Sequence, residues 1–537
     1  MAENKGQNFL HGAAILTAGV VIMKILGAIY KIPLGNILGD DGYGYFLVTY
    51  NIYNFLLTVA TAGFPVALSR MISEANTLGR PMQVRKTFRV AMAAFALLGL
   101  VCSLVMFLYP VELADFMEQP YAAQGIYVLS PAVFLVCLIS AYRGHAQGLS
   151  NMIPTTVGQV IEVLVKVVVG LVLSWYLTRL GKSLPVASAG AVFGVVAGAL
   201  GALLYMAAYK AQNYRNEPLR DPDVPESALA IFLRLMRIGI PITLGASVMS
   251  LMTIIDTKLV LLRLKTAAGF SDSVADVLYG VYGKSSTLYN LPASFVTPLV
   301  VSVVPAVAAS VARRAHDEGC AIAESSIRIM SVIAMPMAVG LTVLCDPVMR
   351  VIFWGSHESG PTLLALMGAA SFFVCLALLT NAILQANGNE RYPVYSMLVG
   401  GFTKIGVNWI LVGNPDINIY GAPIGTLCCY GIMCAMNLIF LRRCMEHRPS
   451  LRRMFLRPLV SSLLMGCAAW LVYTPLHALA SGAIGSERLA MAAAMAVAIG
   501  VAVVVYLVLV VATRAVTMAD MKLLPRGEKL AKLLHIR

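Results

Sequence analysis

Long apolar stretches recur along the sequence, and short polar segments separate them. Each stretch reaches roughly 20 residues with few charges, which is the length an α-helix needs to cross the hydrocarbon core of a membrane. Because backbone groups in hydrocarbon must bond within their own segment, stretches of this length are helices and not barrel strands. The pattern therefore predicts an all-α, polytopic membrane protein of about 14 transmembrane helices.

The predicted spans follow from the apolar runs alone. Six lie near residues 10–32, 45–72, 86–109, 125–147, 155–177 and 186–209. Six more lie near residues 233–260, 278–308, 327–353, 362–386, 393–412 and 417–441, and two follow near 455–476 and 489–512. The first span carries Lys24 and lacks a cleavage site of small residues, so we expect a retained helix and not a removable signal peptide.

Composition and charge agree with a membrane protein. Only 12% of the 537 residues are charged, against about 25% in soluble domains. The net charge of +14 would suit a nucleic-acid partner, but most lysines and arginines lie in alternate loops and in the C-terminal tail. By the positive-inside rule these loops and both termini face the cytoplasm, and we expect no nucleic-acid partner. The opposite loops hold Lys31, Arg179, Lys182, Arg263, Lys265, Arg350 and Arg488.

The two halves of the sequence resemble each other, with matched residues about 236 to 240 positions apart. The matched pairs keep their order along the sequence: Tyr43 with Tyr279, Tyr53 with Tyr289, Pro65 with Pro305, Pro110 with Pro347, and Lys166 with Lys404. This series predicts two homologous six-helix bundles, residues 1–215 and 216–447, followed by two extra helices and a basic tail in 448–537. Repeats of six spans are parallel, and rocking of one bundle against the other would give alternating access.

Prolines predict a bend or a break in the eighth span, which contains Pro292, Pro298 and Pro305. A proline removes one backbone hydrogen bond and kinks the helix that contains it. Because a bent helix suits a moving gate, these three prolines and Pro65 are candidate gating residues. A simple packing irregularity is the alternative.

Intramembrane charges are mostly cationic. Inserting a charged side chain at the centre of a transmembrane helix costs about 2.5 to 3.5 kcal/mol, so such a side chain usually faces a cavity or a partner. Lys24, Lys166 and Lys404 lie well inside their spans, whereas Lys258 and Lys284 lie near enough to an end to reach the interface. The opposing acids are Glu162 and Asp256. This excess predicts a cavity that attracts an anion, and lysine binds phosphate as a point charge.

Four of these lysines are candidate substrate-binding residues: Lys24, Lys166, Lys284 and Lys404. Glu162 is a further candidate, although it lies four residues before Lys166 on one helix face and therefore also suits an ion pair with it. Polar residues that recur in both halves complete the set. Cavity lining and interhelical hydrogen bonding explain them equally well: Tyr43, Tyr53, Asn54, Tyr289 and Asn290.

Several other chemistries lack a sequence signal. The ten cysteines form no C-x-x-C pair, so we expect neither a metal nor a disulfide framework. Two G-K-S fragments lack the earlier glycine of a phosphate-binding loop, and no cofactor is expected. Transport would therefore draw on the membrane potential, on Na⁺ or H⁺, or on the substrate gradient. The longest connection, residues 210–229, has no catalytic cluster, which argues against a membrane enzyme.

Three stretches carry a family resemblance. They are residues 24–39, with Lys-Ile-Leu-Gly at 24–27, residues 63–70, Gly-Phe-Pro-Val-Ala-Leu-Ser-Arg, and residues 289–306, which begin Tyr-Asn-Leu-Pro. The chain resembles the multidrug/oligosaccharidyl-lipid/polysaccharide exporter superfamily over nearly its whole length, and within it the branch of stage V sporulation protein B and the lipid II flippases. The resemblance implies a V-shaped pair of six-helix lobes in a bacterial plasma membrane, two extra helices that in some members line a lipid-side groove, and export of undecaprenyl-pyrophosphate-linked sugars.

The resemblance also implies residue roles. Lipid II flippases need a basic residue before a branched residue, Leu and Gly in the first helix, and Lys24 matches it. Where they carry an arginine in the second helix, this chain has Leu56 and Leu57, and their arginine and glutamate of the eighth helix align with Thr287 and Asn290. Lys284 is a candidate replacement for that missing charge.

The leading hypothesis is a monomeric flippase that moves a lipid-linked oligosaccharide, first of all the peptidoglycan precursor lipid II, to the outer leaflet in cell-wall synthesis or sporulation. Its partners would be the anionic polyprenyl-pyrophosphate-linked sugar and membrane lipids. One alternative is a flippase for another lipid-linked polysaccharide. Another is a cation-coupled multidrug exporter, which would need intramembrane carboxylates. A purely structural role would leave the intramembrane lysines unexplained.

Overall fold

The computed structural model describes residues 2–213, 223–444, 452–483 and 485–516. Most side chains before residue 29, including that of Lys24, lie outside this description. The described part of the chain is helical and contains no β-strand. Its contacts divide it into two compact units, Met1–Leu262 and Arg263–Arg537.

Eight helices begin in the first unit. They are α1 (Ala2–Thr61), α2 (Phe64–Thr77), α3 (Pro81–Leu108), the short α4 (Pro110–Phe116), α5 (Ala123–Gly148), α6 (Ile153–Arg179), α7 (Leu184–Asn213) and α8 (Ala228–Thr266). A short 3₁₀ turn, Pro120–Ala122, precedes α5.

Nine helices follow in the second unit. They are α9 (Asp272–Tyr289), α10 (Leu291–Ala312), α11 (His316–Val343), the short α12 (Cys345–Ile352), α13 (Gly360–Ala386), α14 (Arg391–Leu411), α15 (Gly421–Cys444), α16 (Arg457–Ala483) and α17 (Glu487–Ala512). A 3₁₀ turn, Asn418–Tyr420, precedes α15, and a π-helical turn, Arg452–Leu456, precedes α16.

Thirteen of the described helical stretches are long and apolar enough to cross a membrane. They match the second to the fourteenth predicted spans in order, whereas the first predicted span falls mostly on side chains outside the description. Large apolar side chains on their outer faces stay exposed, as with Leu97, Val168 and Val508. Such surfaces belong against lipid. The predicted all-α polytopic fold is therefore confirmed.

Helix α1 folds back on itself at Gly39, where φ is 71° and ψ is −164°. Only glycine adopts this backbone conformation without strain. The rings of Tyr30 and Phe46 consequently lie 5.9 Å apart, whereas a straight helix would separate residues at this spacing by about 24 Å. The sequence predicted a polar connection between the first two spans. The chain instead stays helical on both sides of one glycine.

The predicted second span is broken at Ala62 and Gly63, between α1 and α2. Pro65 in the first turn of α2 has no N–H to donate to the carbonyl of Thr61, so the helix cannot continue. The Gly63 N–H donates instead to the Thr243 hydroxyl of α8 at 3.1 Å. The break therefore leaves this buried donor satisfied.

The predicted interruption of the eighth span is confirmed at Asn290, where α9 ends and α10 begins. Pro292 lies in the first turn of α10 and cannot donate to the carbonyl of Leu288. Pro298 and Pro305 lie inside α10, which continues past both. The matched prolines Pro65 and Pro305 therefore occupy different positions, one after a break and one within a helix.

Helix α8 contacts α1 and α2 in the first unit through a few polar side chains. Arg234 binds Glu74 at 2.6 Å, the Ser250 hydroxyl donates to that of Thr58 at 2.9 Å, and Asn51 donates to Thr257 at 3.0 Å. The contact boundary at residue 262 thus places most of α8 in the first unit. The predicted lobe boundaries at residues 215 and 447 stay predictions.

The same pattern of neighbours recurs in both units. Helices α3, α5, α6 and α7 pack as α3 on α5, α5 on α7, and α6 on α7, and helices α11, α13, α14 and α15 repeat these three contacts in order. The short helices α4 and α12, which contain the matched Pro110 and Pro347, also correspond. The last two helices pack against each other, with α16 on α11 and α17 on α12.

The closest helix contact in the first unit generates a prediction. A Cβ atom at Gly63 would overlap the carbonyl oxygen of Gly239 on α8. We expect Gly63→Ala to reduce stability by about 1 to 3 kcal/mol through overpacking, measured as a lower Tm of the purified protein in detergent. Gly245→Ala on the same helix is the matched control, since a Cβ there meets no atom within 4 Å. Equal Tm values for both variants would contradict this packing.

Candidate functional site

A ladder of aromatic rings runs along one face of α1 in the first unit. Tyr43, Phe46, Tyr50 and Tyr53 recur every three or four residues, which places them on one side of a helix. Successive ring centroids lie 5.8, 5.6 and 5.8 Å apart. Tyr43 and Tyr53 are buried. Charged side chains of this unit lie close to this row of rings.

Two lysines lie against this ladder. The Nζ atom of Lys166 on α6 is 5.5 Å from the ring centroid of Tyr30 and 5.9 Å from that of Tyr50. Lys31 on α1 is partly buried and lies within electrostatic reach of Tyr50 and Lys166. Aromatic faces attract cations, by about 0.5 to 2 kcal/mol each. Lys166 therefore lies over two rings, and a second lysine, Lys31, lies within electrostatic reach of it.

The carboxylate of Glu162 lies beside the same ladder but binds an arginine. Its Oε2 atom is 2.6 Å from Nη2 of Arg143 on α5, and both side chains are largely covered. The alternative role of Glu162, an ion pair with Lys166, is not found, because Arg143 on the neighbouring helix binds the carboxylate instead. Tyr53 lies within electrostatic reach of both members of the pair.

Lys284 is the most enclosed of the predicted cations. Its side chain is 1% exposed, and its Nζ atom lies 5.6 Å from the ring centroid of Phe353. The expectation that Lys284 would reach the membrane interface is therefore wrong. The side chain instead lies buried beside the ring of Phe353, which follows α12.

The remaining predicted residues of the second unit form a looser group. Tyr289 on α9 and Lys404 on α14 both lie within electrostatic reach of Tyr430 on α15. Asn290 is exposed and donates to the carbonyl of Ser286 at 2.7 Å. The matched lysines Lys166 and Lys404 thus both lie beside tyrosines of their own units.

Other predicted residues are only partly placed. The side chain of Lys24 lies outside the described residues, although its backbone is helical. Asn54 is partly buried, and its carbonyl accepts from the Thr58 hydroxyl at 2.7 Å. Lys258 lies 3.6 Å from the ring centroid of Phe116. Within the described ranges, no three His, Cys, Asp or Glu side chains group as a metal site would need.

Sequence reasoning missed Lys31 and Arg143. It assigned Lys31 to a loop, although Lys31 follows Lys24 by seven residues, which is two helical turns and therefore one face. That spacing could have identified Lys31. No local pattern links Arg143 to Glu162, which lies 19 residues later on another helix.

The second unit also contains an apolar cavity of about 640 Å³ among α11, α13, α15 and α16. Its wall includes Phe372, Phe373, Leu438, Phe455 and Leu463. Such a wall is almost entirely apolar and suits hydrocarbon chains.

Sequence comparison identifies relatives along nearly the whole chain. A family model described as polysaccharide biosynthesis protein matches residues 9–311, more than half of the chain. The uncharacterized membrane protein YabM of Bacillus subtilis is 27% identical over 527 residues, 98% of this chain and 96% of its own length. Lipid II flippase MurJ of the same organism is 25% identical, covering 86% and 88%. Its stage V sporulation protein B is 24% identical, covering 78% and 80%.

Solved structures show the same fold. Lipid II flippase MurJ in an inward closed conformation superposes with a TM-score of 0.68 at 14% identity, covering 92% of this chain and 98% of that structure. An inward-facing multidrug resistance MATE family transporter gives a TM-score of 0.63, also at 14% identity, covering 80% and 97%. At this identity the likeness concerns the fold and does not choose between their cargoes.

The ion pair of the first unit generates a prediction. We expect Arg143→Met to lower the Tm of the purified protein, because it leaves the Glu162 carboxylate covered without its partner. Adding Glu162→Gln should recover much of the loss, with a coupling energy of about 1 to 3 kcal/mol in a double-mutant cycle. Additive losses in the double variant would show that the two side chains do not stabilise each other.

Proposed function

Because this chain belongs to the polysaccharide biosynthesis protein family, within the multidrug/oligosaccharidyl-lipid/polysaccharide exporter superfamily, we propose that it is a flippase for lipid-linked oligosaccharides. The family and its structural neighbours are transporters, so the chain is a multi-pass membrane transporter and not an enzyme. The proposed cargo is an amphiphile with a polyprenyl chain, an anionic pyrophosphate and a sugar. We expect it to move from the cytoplasmic to the outer leaflet of a bacterial plasma membrane.

The observation that carries this proposal is the net positive charge of the intramembrane side chains. In the first unit Lys166 lies over the ring of Tyr30, and Lys31 lies within electrostatic reach of Lys166. The negative charge of the nearby Glu162 is balanced by Arg143. Lysines in a site of low dielectric attract an anion strongly and repel a cation. A pyrophosphate would thus be stabilised where a cationic drug would not.

The second unit supports the same chemistry. Lys284 and Lys404 add two cations on helices that correspond to the charged part of the first unit. Lys284 is completely enclosed, so we assign the direct contact to Lys404 and Lys166, and to Lys24 by its match to the flippase motif. The apolar cavity beside α16 would accommodate part of the polyprenyl chain.

Lipid II is the first cargo to test. The relation to lipid II flippase MurJ supports it, and Thr287 and Asn290, in place of an arginine and a glutamate, are the sequence difference that argues against it. A multidrug exporter shares the fold, but it would need an intramembrane carboxylate that can bind a cation.

Complementation tests the proposal. The chain is expressed in a bacterium depleted of its own lipid II flippase, and we expect it to restore growth. We expect Lys166→Ala and Lys24→Ala each to lower viability at least about tenfold, because each removes a charge that binds the pyrophosphate. Lys166→Arg should retain part of the activity. Lys182→Ala is the matched control, because it removes the same charge from an exposed position after α6.

Membrane abundance of every variant is measured by immunoblot. A parent protein that inserts but does not rescue excludes lipid II and directs the search to another lipid-linked polysaccharide. If the lysine variants rescue as well as Lys182→Ala, the cationic site has no part in transport.

We further propose that the membrane potential, or a Na⁺ or H⁺ gradient, drives the cycle, since no nucleotide-binding signal occurs in the sequence. In proteoliposomes loaded with labelled lipid II, a potential of 100 mV would contribute about 2.3 kcal/mol for each charge moved. We expect valinomycin with K⁺ to change the flipping rate if the potential drives it, and monensin or nigericin if an ion gradient does. A rate that is unchanged by all three would leave only the cargo gradient as driving force.

A further inference from the structure

The second unit has a second cavity, which is polar. It has a volume of about 420 Å³ and lies between the segment after α12, the start of α13 and the start of α17. The distribution of basic residues predicts that this end faces away from the cytoplasm. Its volume is within the range of about 300 to 1,000 Å³ typical of small-molecule sites.

The polar wall of this cavity carries both donors and acceptors. Arg350, His357 and Arg488 supply donors, and Glu358 and Glu487 supply carboxylates. A strongly anionic ligand would meet the two carboxylates, and an acyl chain would desolvate the whole polar wall. The wall therefore suits a ligand with many groups that both donate and accept hydrogen bonds.

Local contacts hold several of these side chains in place. Nη2 of Arg488 donates to the carbonyl of Val351 at 3.0 Å, and its guanidinium lies 4.9 Å from the ring centroid of Trp354. Nε of Arg350 donates to Asp346 at 2.7 Å. A preformed wall loses less conformational entropy when a ligand binds.

The floor and rim are apolar and aromatic. Phe353, Met349 and Met491 line the floor, and Trp354 stands at the rim with 59% of its surface exposed. Sugars have hydroxyl groups around their edge and C–H groups on their faces, so they match a wall of planar polar groups beside an aromatic ring. Tryptophan provides large contact area at low entropic cost.

We propose that this cavity, formed by α12, α13 and α17, is a saccharide-binding site for the sugar part of the exported molecule. The inference rests on the proposed function for the identity of the cargo and adds a place where its sugar binds. Phe353 lines this cavity, and its ring centroid also lies 5.6 Å from the Nζ atom of the buried Lys284.

A binding experiment tests the site independently of transport. The full chain is purified in detergent and titrated with N,N′-diacetylchitobiose, a neutral disaccharide, with saturation-transfer NMR as readout. We expect millimolar binding that weakens at least about tenfold in Arg488→Ala and in the double variant Glu358→Ala with Glu487→Ala, since each removes hydrogen bonds to the sugar.

The first unit offers a matched control. The guanidinium of Arg179 lies 4.8 Å from the ring centroid of Trp175, so Arg179→Ala disrupts a similar exposed pair away from the cavity and should leave binding unchanged. The Tm of each variant verifies that it is folded.

Three results would overturn the saccharide site. They are absence of binding at tens of millimolar disaccharide, equal binding by the cavity variants and the control, and displacement of the disaccharide by inorganic phosphate, which would indicate an anion site. Loss of disaccharide binding in a protein that still rescues growth overturns the cavity alone. If the protein binds the disaccharide but does not rescue growth, the saccharide site is supported and lipid II export is contradicted.

Discussion

Hydrocarbon offers no hydrogen bonds, and this constraint explains both the helices and their interruptions. Each backbone group must find a partner within the protein, so the described chain is helical nearly throughout. Where Pro65 stops a helix, Thr243 of α8 takes over the N–H of Gly63. Where the chain turns back at Gly39, that one residue makes the turn and the chain stays helical on both sides of it. The helix breaks therefore lie where side chains or glycine can compensate for them.

The same constraint governs the charged side chains. Glu162 lies against Arg143, whereas Lys166, Lys258 and Lys284 each lie over an aromatic ring. An aromatic face stabilises a cation without cancelling its charge. The lysines can therefore stay in the membrane region and still attract an anion. Under the proposed function, this combination would distinguish the chain from a carrier of cations with the same fold.

The second unit combines two cavities of opposite chemistry. The apolar one lies beside α11 and α16, and the polar one lies at the ends of α12, α13 and α17. The two extra helices thus contribute to both. An amphiphile with a long hydrocarbon chain and a sugar has the matching pair of surfaces. On this view α16 and α17 provide cargo recognition in addition to covering the repeat.

The sequence by itself determined the helical spans, the duplication, the helix interruption near Pro292 and the excess of intramembrane lysines, because each depends on residue type and spacing along the chain. Only the tertiary structure decided that Arg143 binds Glu162, that Lys284 is buried beside Phe353 and that Lys31 lies near Lys166. Each of these contacts joins residues from different elements of the fold. Apolar periodicity indicates which face of a helix is buried, but not which neighbour covers it, so partners of charged side chains follow only from helix packing.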